Sequence, residues 1–198
     1  MMPIPTSVRL TGFALALLVS LQLAGCASIH MSPPKATLET TVSLRSTTLA
    51  PAALGKFSPD AALSADSDRS MSLRGANSVS SPIDGSFSQY LRESLRVELE
   101  AAGLFEPASR TVIGGTLIRS EVDAAIVTGT AKLAARIVVT RDGAVKYDKE
   151  LVVDDFWASS FMGATAIRLA AAHYEGLYRK LAAKVLDDPQ FRAALAPQ

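Results

Sequence analysis

The side chains able to do chemistry are few: one cysteine, Cys26, two histidines, His30 and His173, and carboxylates scattered over 198 residues. Metal catalysis needs ligands at a fixed spacing, and the sequence has neither an HExxH helix nor a Cys/His pairing. The Gly-x-Ser-x-Gly elbow of a serine hydrolase is also missing. Gly114-Gly115 is followed by Thr116-Leu117 rather than Lys-Ser/Thr, so it is no phosphate loop. Asp66 and Asp68 resemble the start of a calcium loop. No further carboxylate follows at the required spacing, which predicts a solvated Ser/Ala-rich loop instead. Asp142, Asp148, Asp154 and Asp155 could pair as acid and base, but a hairpin turn and a solvent face account for them more simply. His30 falls in an N-terminal tether and His173 beside the apolar stripe of a helix, where a rim position is expected. The expectation is no catalytic residue, no metal and no cofactor. The enzyme alternative, a hydrolase built from an unrecognised Ser, His173 and a carboxylate, requires the fold to bring those three together.

The most distinctive stretch is Asp154-Asp155-Phe156-Trp157-Ala158-Ser159-Ser160-Phe161-Met162-Gly163-Ala164, at a strand-to-helix junction. It holds the only Trp. One reading makes its aromatics the seal of the core, with Ser159 or Ser160 capping the helix. The other makes Phe156, Trp157, Phe161 and Met162 an apolar contact patch for a partner, since Trp, Phe and Met are enriched at interface centres.

Cys26 has a context of its own. A single Arg, Arg9, precedes an apolar run from Leu10 to Ala24. At about 1.5 Å rise per residue such a run spans roughly 22 Å, short of the ~30 Å hydrocarbon core, so it suits a signal peptide better than a membrane span. The run ends in Leu23-Ala24-Gly25-Cys26, which resembles the bacterial lipoprotein box. That resemblance implies cleavage between Gly25 and Cys26 and a covalent lipid on the Cys26 sulfur and on its new amino group. Several acyl chains, at about 0.8 kcal/mol per buried CH₂, hold a protein firmly on a membrane. The alternatives are an ordinary cleaved signal, with Cys26 a buried thiol, or an uncleaved anchor. Ala27 and Ser28 follow in place of Asp. By resemblance to enterobacterial lipoproteins this implies the outer membrane, facing the periplasm, with the inner membrane and a surface-exposed orientation left open.

Charge and composition narrow the partners. The chain carries 20 Lys+Arg against 19 Asp+Glu, and 48% of its residues are hydrophobic. Arg9 is the only charge before Cys26, so a chain cut there has equal numbers of acidic and basic side chains. Such a domain lacks the basic field that nucleic-acid binding requires. One cysteine excludes an internal disulfide.

These features divide the chain into a signal peptide over 1–25, a lipidated N-terminus and tether over 26–36, and one domain over 37–198. Leu38, Thr40, Val42 and Leu44 alternate with Glu39, Thr41 and Ser43, which predicts a half-buried strand. Residues 47–82, rich in Ser, Ala, Pro, Asp and Gly, predict a long loop with a short strand near Met71 and Leu73. Phe87, Leu91, Leu95 and Leu99 repeat at helical spacing from about Asp84 to Ala102, and Gly103 is the expected left-handed stop. Three strands follow, at about Val112–Val122, Ile126 or Thr130 to Thr140, and Val145–Phe156, the last two joined by a tight Asp142-Gly143 turn. Ile167, Ala170, Tyr174, Leu177, Tyr178, Leu181 and Val185 mark a second helix from about Phe161 or Gly163 to Leu186, and Asp188-Pro189 opens a short third. The predicted fold is α+β, a two-layer sandwich with an antiparallel sheet of about four strands and two main helices on one face.

The stretches from Phe87 through Leu95, Ala102-Gly103, Ile113-Gly-Gly-Thr-Leu117, Ala135-Arg-Ile-Val-Val139 and a closing helix ending in Asp188 and Phe191 resemble the YajG-type small bacterial lipoproteins. The likeness covers about Phe87 to Leu195 and does not extend over Ser46 to Pro82. It implies fold more than activity and carries over no catalytic residue. The expected function is that of a membrane-anchored lipoprotein facing the periplasm, a non-catalytic accessory or scaffold of a cell-envelope complex. Its partners would be the membrane, through acyl chains, and an envelope protein. The alternative in the same class is an auxiliary lipoprotein of a lipid or solute transporter, which requires a ligand groove between helices and sheet. Self-association through an unpaired edge strand is left open.

Overall fold

The structure is a computed structural model and describes residues 28–197. The proposed signal peptide and its Gly25/Cys26 junction lie outside the described residues. Seven strands and four helices follow in the order β1 (Ser28–His30), α1 (Leu38–Arg45), β2 (Ala53–Pro59), β3 (Ser70–Ser72), β4 (Ser78–Ser80), α2 (Phe87–Ala102), β5 (Thr111–Asp123), β6 (Thr128–Arg141), β7 (Ala144–Ala158), α3 (Gly163–Leu186) and α4 (Pro189–Ala194). The main sheet has the order β2-β5-β6-β7, and a small second sheet has the order β1-β4-β3. The α+β sandwich is as expected: β5, β6 and β7 form an antiparallel meander, and α2 and α3 cover one face.

The meander rests on period-2 burial. Ala131, Leu133, Ala135, Ile137 and Val139 of β6 are buried under the helices, while Arg136 faces out and pairs with Asp148 of β7. The β6–β7 turn takes positive φ at Asp142 (52°) and Gly143 (79°), the conformation that matches the twist of the flanking strands. Both main helices show amphipathic logic. Phe87, Leu91, Leu95 and Leu99 of α2 are fully buried, as are Tyr174, Leu177, Tyr178 and Leu181 of α3. Between them Phe87 meets Tyr174 and Tyr90 meets Tyr178 edge to face, at 5.4 and 4.9 Å between centroids.

Several expectations for the N-terminal third are overturned. Leu38–Arg45 is a helix, not a strand. Its alternating apolar positions contain the i, i+4 pair Thr40 and Leu44, and these two are buried while Leu38 and Val42 face solvent. Thr37 caps it, accepting from the Thr40 N–H, and the Thr37 N–H is itself held by Glu98 of α2 at 3.0 Å. The place of the first strand in the main sheet belongs to Ala53–Pro59, inside the segment expected to be a loop, and it runs parallel to β5. A register irregularity between Leu54 and Phe57 breaks its two-residue period, so no alternating pattern shows in the sequence. The short strand expected near Met71 is present as β3, antiparallel to β4. The tether is also partly structured: Ser28–His30 pairs with β4, His30 Nδ1 lies 2.8 Å from Ser80 Oγ, and Met31 is buried.

Asp68 is not solvated. It sits at the N-terminus of α2, where Oδ1 accepts from the Ser88 N–H (2.8 Å) and Oδ2 from the Ser86 hydroxyl (2.6 Å). With the Ser88 hydroxyl as a third donor, the side-chain oxygens of Asp68 are satisfied although the residue is buried. The helix starts accordingly at Phe87 with Ser86 as its cap, three residues later than Asp84 suggested, and it ends at Gly103 with φ 77°.

Candidate functional site

The strand-to-helix junction divides its aromatics between two roles. Alternation along β7 turns Asp155 and Trp157 toward α3 and Phe156 away from it. Trp157 is therefore buried and seals the core, whereas Phe156, Phe161 and Met162 are exposed. Of the four residues expected to form a contact patch, Trp157 is not accessible to a partner. The indole lies between two neighbours. On one side Gly129, its cross-strand partner on β6, leaves no room for a side chain: a Cβ there would come within 2.2 Å of the ring. On the other side the His173 imidazole stacks on it at 4.3 Å with a 6° interplanar angle. Trp157 Nε1 and Ser159 Oγ are buried without a hydrogen-bond partner. Neither serine caps α3 through its side chain in the manner expected; Met162 occupies the N-cap, and Ser160 Oγ accepts from the Met162 N–H instead.

Asp155 is the polar centre of this region. His173 Nδ1 lies 2.8 Å from its Oδ2, and Lys180 Nζ 3.0 Å from its Oδ1. Burial alone would raise the Asp155 pKa, but the hydrogen bonds from His173 and Lys180 outweigh it and hold the carboxyl below the ordinary value. Lys180 is two helical turns from His173, so one face of α3 presents both groups to the same strand. Sequence spacing gave no sign of the pairing, because Asp155 and His173 meet only through the β7–α3 packing. No serine hydroxyl hydrogen-bonds His173 among the described residues. A nucleophile, base and orienter therefore do not line up here. Of the other candidate aspartates, Asp142 pairs with Arg110 and Asp148 with Arg136, and Asp154 lies on the solvent face of β7.

Several large apolar side chains are exposed at this end of the sheet. The β5–β6 loop contributes Ile126 and Val127, and the β7–α3 loop contributes Phe161 and Met162, next to Phe156 at the end of β7. The two loops are tied by the Ser159 N–H donating to the Val127 carbonyl at 3.0 Å. The β3–β4 hairpin joins them, since Arg74 Nη1 donates to the carbonyls of Ser160 (3.1 Å) and Phe161 (3.4 Å). Val127 and Phe161 are 78% and 80% exposed, unusual for a Val and a Phe on neighbouring loops. A surface hollow of about 380 Å³ adjoins Phe156 and is fringed by Glu121, Asp123, Lys132 and Asp154.

Between the two main helices and the tether, where Tyr90, Glu98, Tyr178 and Ala182 meet, the cavity measures about 10 Å³, room for roughly one water molecule. Larger open hollows, of about 490 and 530 Å³, lie where β7 meets the end of α3 and α4. Among the described residues there is no cluster of three or more metal-ligating side chains, and no helix is long and apolar enough to cross a membrane.

No family model matches the sequence, and no curated protein matches it either. Solved structures do. A Xanthomonas campestris protein of family DUF330 superposes with a TM-score of 0.55 at 13% identity, covering 84% of this chain and 96% of its own. A protein described only as uncharacterised gives a TM-score of 0.48 at 8% identity, covering 81% and 99%. A minor lipoprotein from Acinetobacter baumannii gives 0.40 at 11% identity, covering 68% and 90%. The chain thus shares its fold with the Xanthomonas protein, over nearly the whole of both, and at this identity the likeness is one of fold.

Proposed function

We propose that the protein is a bacterial lipoprotein, held on the outer membrane by acyl chains on Cys26 and facing the periplasm as a non-catalytic accessory or scaffold of a cell-envelope complex. The observation that carries this reading is the Leu23-Ala24-Gly25-Cys26 sequence, with the chain's only cysteine at the position that takes the lipid. The folded domain is compatible with it. Buried core positions run from Met31 to Leu195, and Ser28, two residues beyond the cysteine, is exposed on a peripheral strand of the small sheet. A protein partner would find β7, fifteen residues long at the edge of the main sheet, with one side of its backbone unpaired by a neighbouring strand. Cys26→Ala tests the anchor. The wild-type protein is expected in the membrane fraction and the variant in the soluble periplasmic fraction; a variant that still sediments with membranes contradicts the proposal.

A further inference from the structure

Ser28, the first described residue, is joined through the small sheet to the loop that carries the exposed Phe161. Ser28 of β1 aligns with Ser78 of β4, and Ser78 with Ser72 of β3. At about 4.8 Å between adjacent strands, Ser28 and Ser72 are roughly 10 Å apart. Ser72 leads directly into the hairpin whose Arg74 grips the Ser160 and Phe161 carbonyls. Beyond β1 the chain reaches the middle of α3, where the Ser32 N–H donates to Glu175, so β1 lies toward the start of that helix, which Phe161 and Met162 precede. Cys26 precedes Ser28 by two residues, a reach of at most about 7 Å. Lipids attached at Cys26 would therefore enter the bilayer close to the one cluster of exposed large apolar side chains on these loops.

We propose that Phe156, Phe161 and Met162, with Ile126 and Val127, rest in the lipid surface that holds the acyl chains of Cys26, so that the domain is oriented by a second contact rather than swinging on its tether. This inference rests on the lipoprotein reading. Two features favour lipid as the occupant. The patch lies on two adjoining loops and the start of a helix, which meet a flat surface edge-on and leave the long β7 edge free. Its charged fringe is mixed, with Glu121, Asp123 and Asp154 near Phe156 against Lys132 and Arg74, which suits a zwitterionic headgroup layer and gives no basic field for anionic lipid. Phe and Met side chains at an interface contribute through buried apolar area, as amphipathic surface elements do.

The test places a reporter at the tip. Phe161 is exposed, so Phe161→Trp leaves the core intact, and subtracting the wild-type Trp157 emission isolates the new indole. The full lipidated protein is reconstituted into phosphatidylcholine vesicles with or without bromine on the acyl chains, and co-flotation is checked for each sample. The proposal expects loss of most of the added emission in brominated vesicles and a blue-shifted maximum in unbrominated ones. A protein that co-floats while its added emission is equal in both overturns the proposal and assigns the patch to a protein partner. Wild-type protein that fails to co-float overturns the lipoprotein reading, and this inference with it.

Discussion

Trp157 shows how one residue separates structure from surface. Its ring is held between Gly129 and His173, and its neighbours in sequence, Phe156 and Ala158, point the other way. Trp157→Ala should leave a cavity and remove a stacked partner, costing about 3–5 kcal/mol in equilibrium denaturation. Phe161→Ser, at an exposed position four residues on, should change stability by no more than about 0.5 kcal/mol. Equal effects from the two substitutions would contradict the division of the junction into a buried seal and an exposed tip. A run of aromatics in the sequence suggests both roles at once. The strand's period of two decides which side chain takes which, and the close approach over Gly129 follows only from the β6–β7 register.

At the scale of elements, short carboxylate contacts fix how helices meet strands. Asp188 caps α4, accepting from the Gln190 N–H at 2.9 Å, and also accepts from Lys149 Nζ of β7 at 2.7 Å. Lys149 breaks the polar/apolar alternation of β7 for this reason, since it stands on the helix side of the sheet to reach Asp188. Burial would raise the Asp188 pKa; the hydrogen bonds from Lys149 and the Gln190 N–H prevail and lower it. A depressed carboxyl contributes stability that is complete above its unfolded value, near 3.8, and is lost as pH falls through the folded value. Asp188→Asn keeps a capping side chain but loses the charge. It should cost about 1–2 kcal/mol at pH 7, the lower end reflecting a half-exposed Lys149. The gap to wild type should narrow below pH 3.8 in pH-resolved denaturant titrations. Glu98 works in the opposite sense: burial raises its pKa, so its contribution is fullest below about 4.5 and declines as pH rises through the folded value. The long helices, the meander, the Asp142-Gly143 turn and the Asp188-Pro189 start were legible in the sequence because each carries several repeats of its period or a specific turn residue. β2 was not legible, because its irregular register hides the alternation. α1 was misread because seven residues of alternating polarity also contain a helical pair. The Asp68 cap and the Asp155–His173 pair join residues 18 or more positions apart, which no local pattern encodes.

For the whole molecule, the described domain is an α+β sandwich with exposed apolar side chains on the β5–β6 and β7–α3 loops and a long open sheet edge at β7. That layout suits a protein fixed to a surface at one end and presenting its remaining faces to the periplasm. The proposed reading depends on Cys26, because an anchor there would give the apolar end its orientation and the β7 edge its access. The most direct measurement is the intact mass, with fragment sequencing, of the mature protein isolated from membranes. The account predicts a chain that begins at Cys26 and carries a diacylglycerol and an amide-linked acyl group. A mature chain that begins elsewhere, or an unmodified Cys26 thiol, would contradict it.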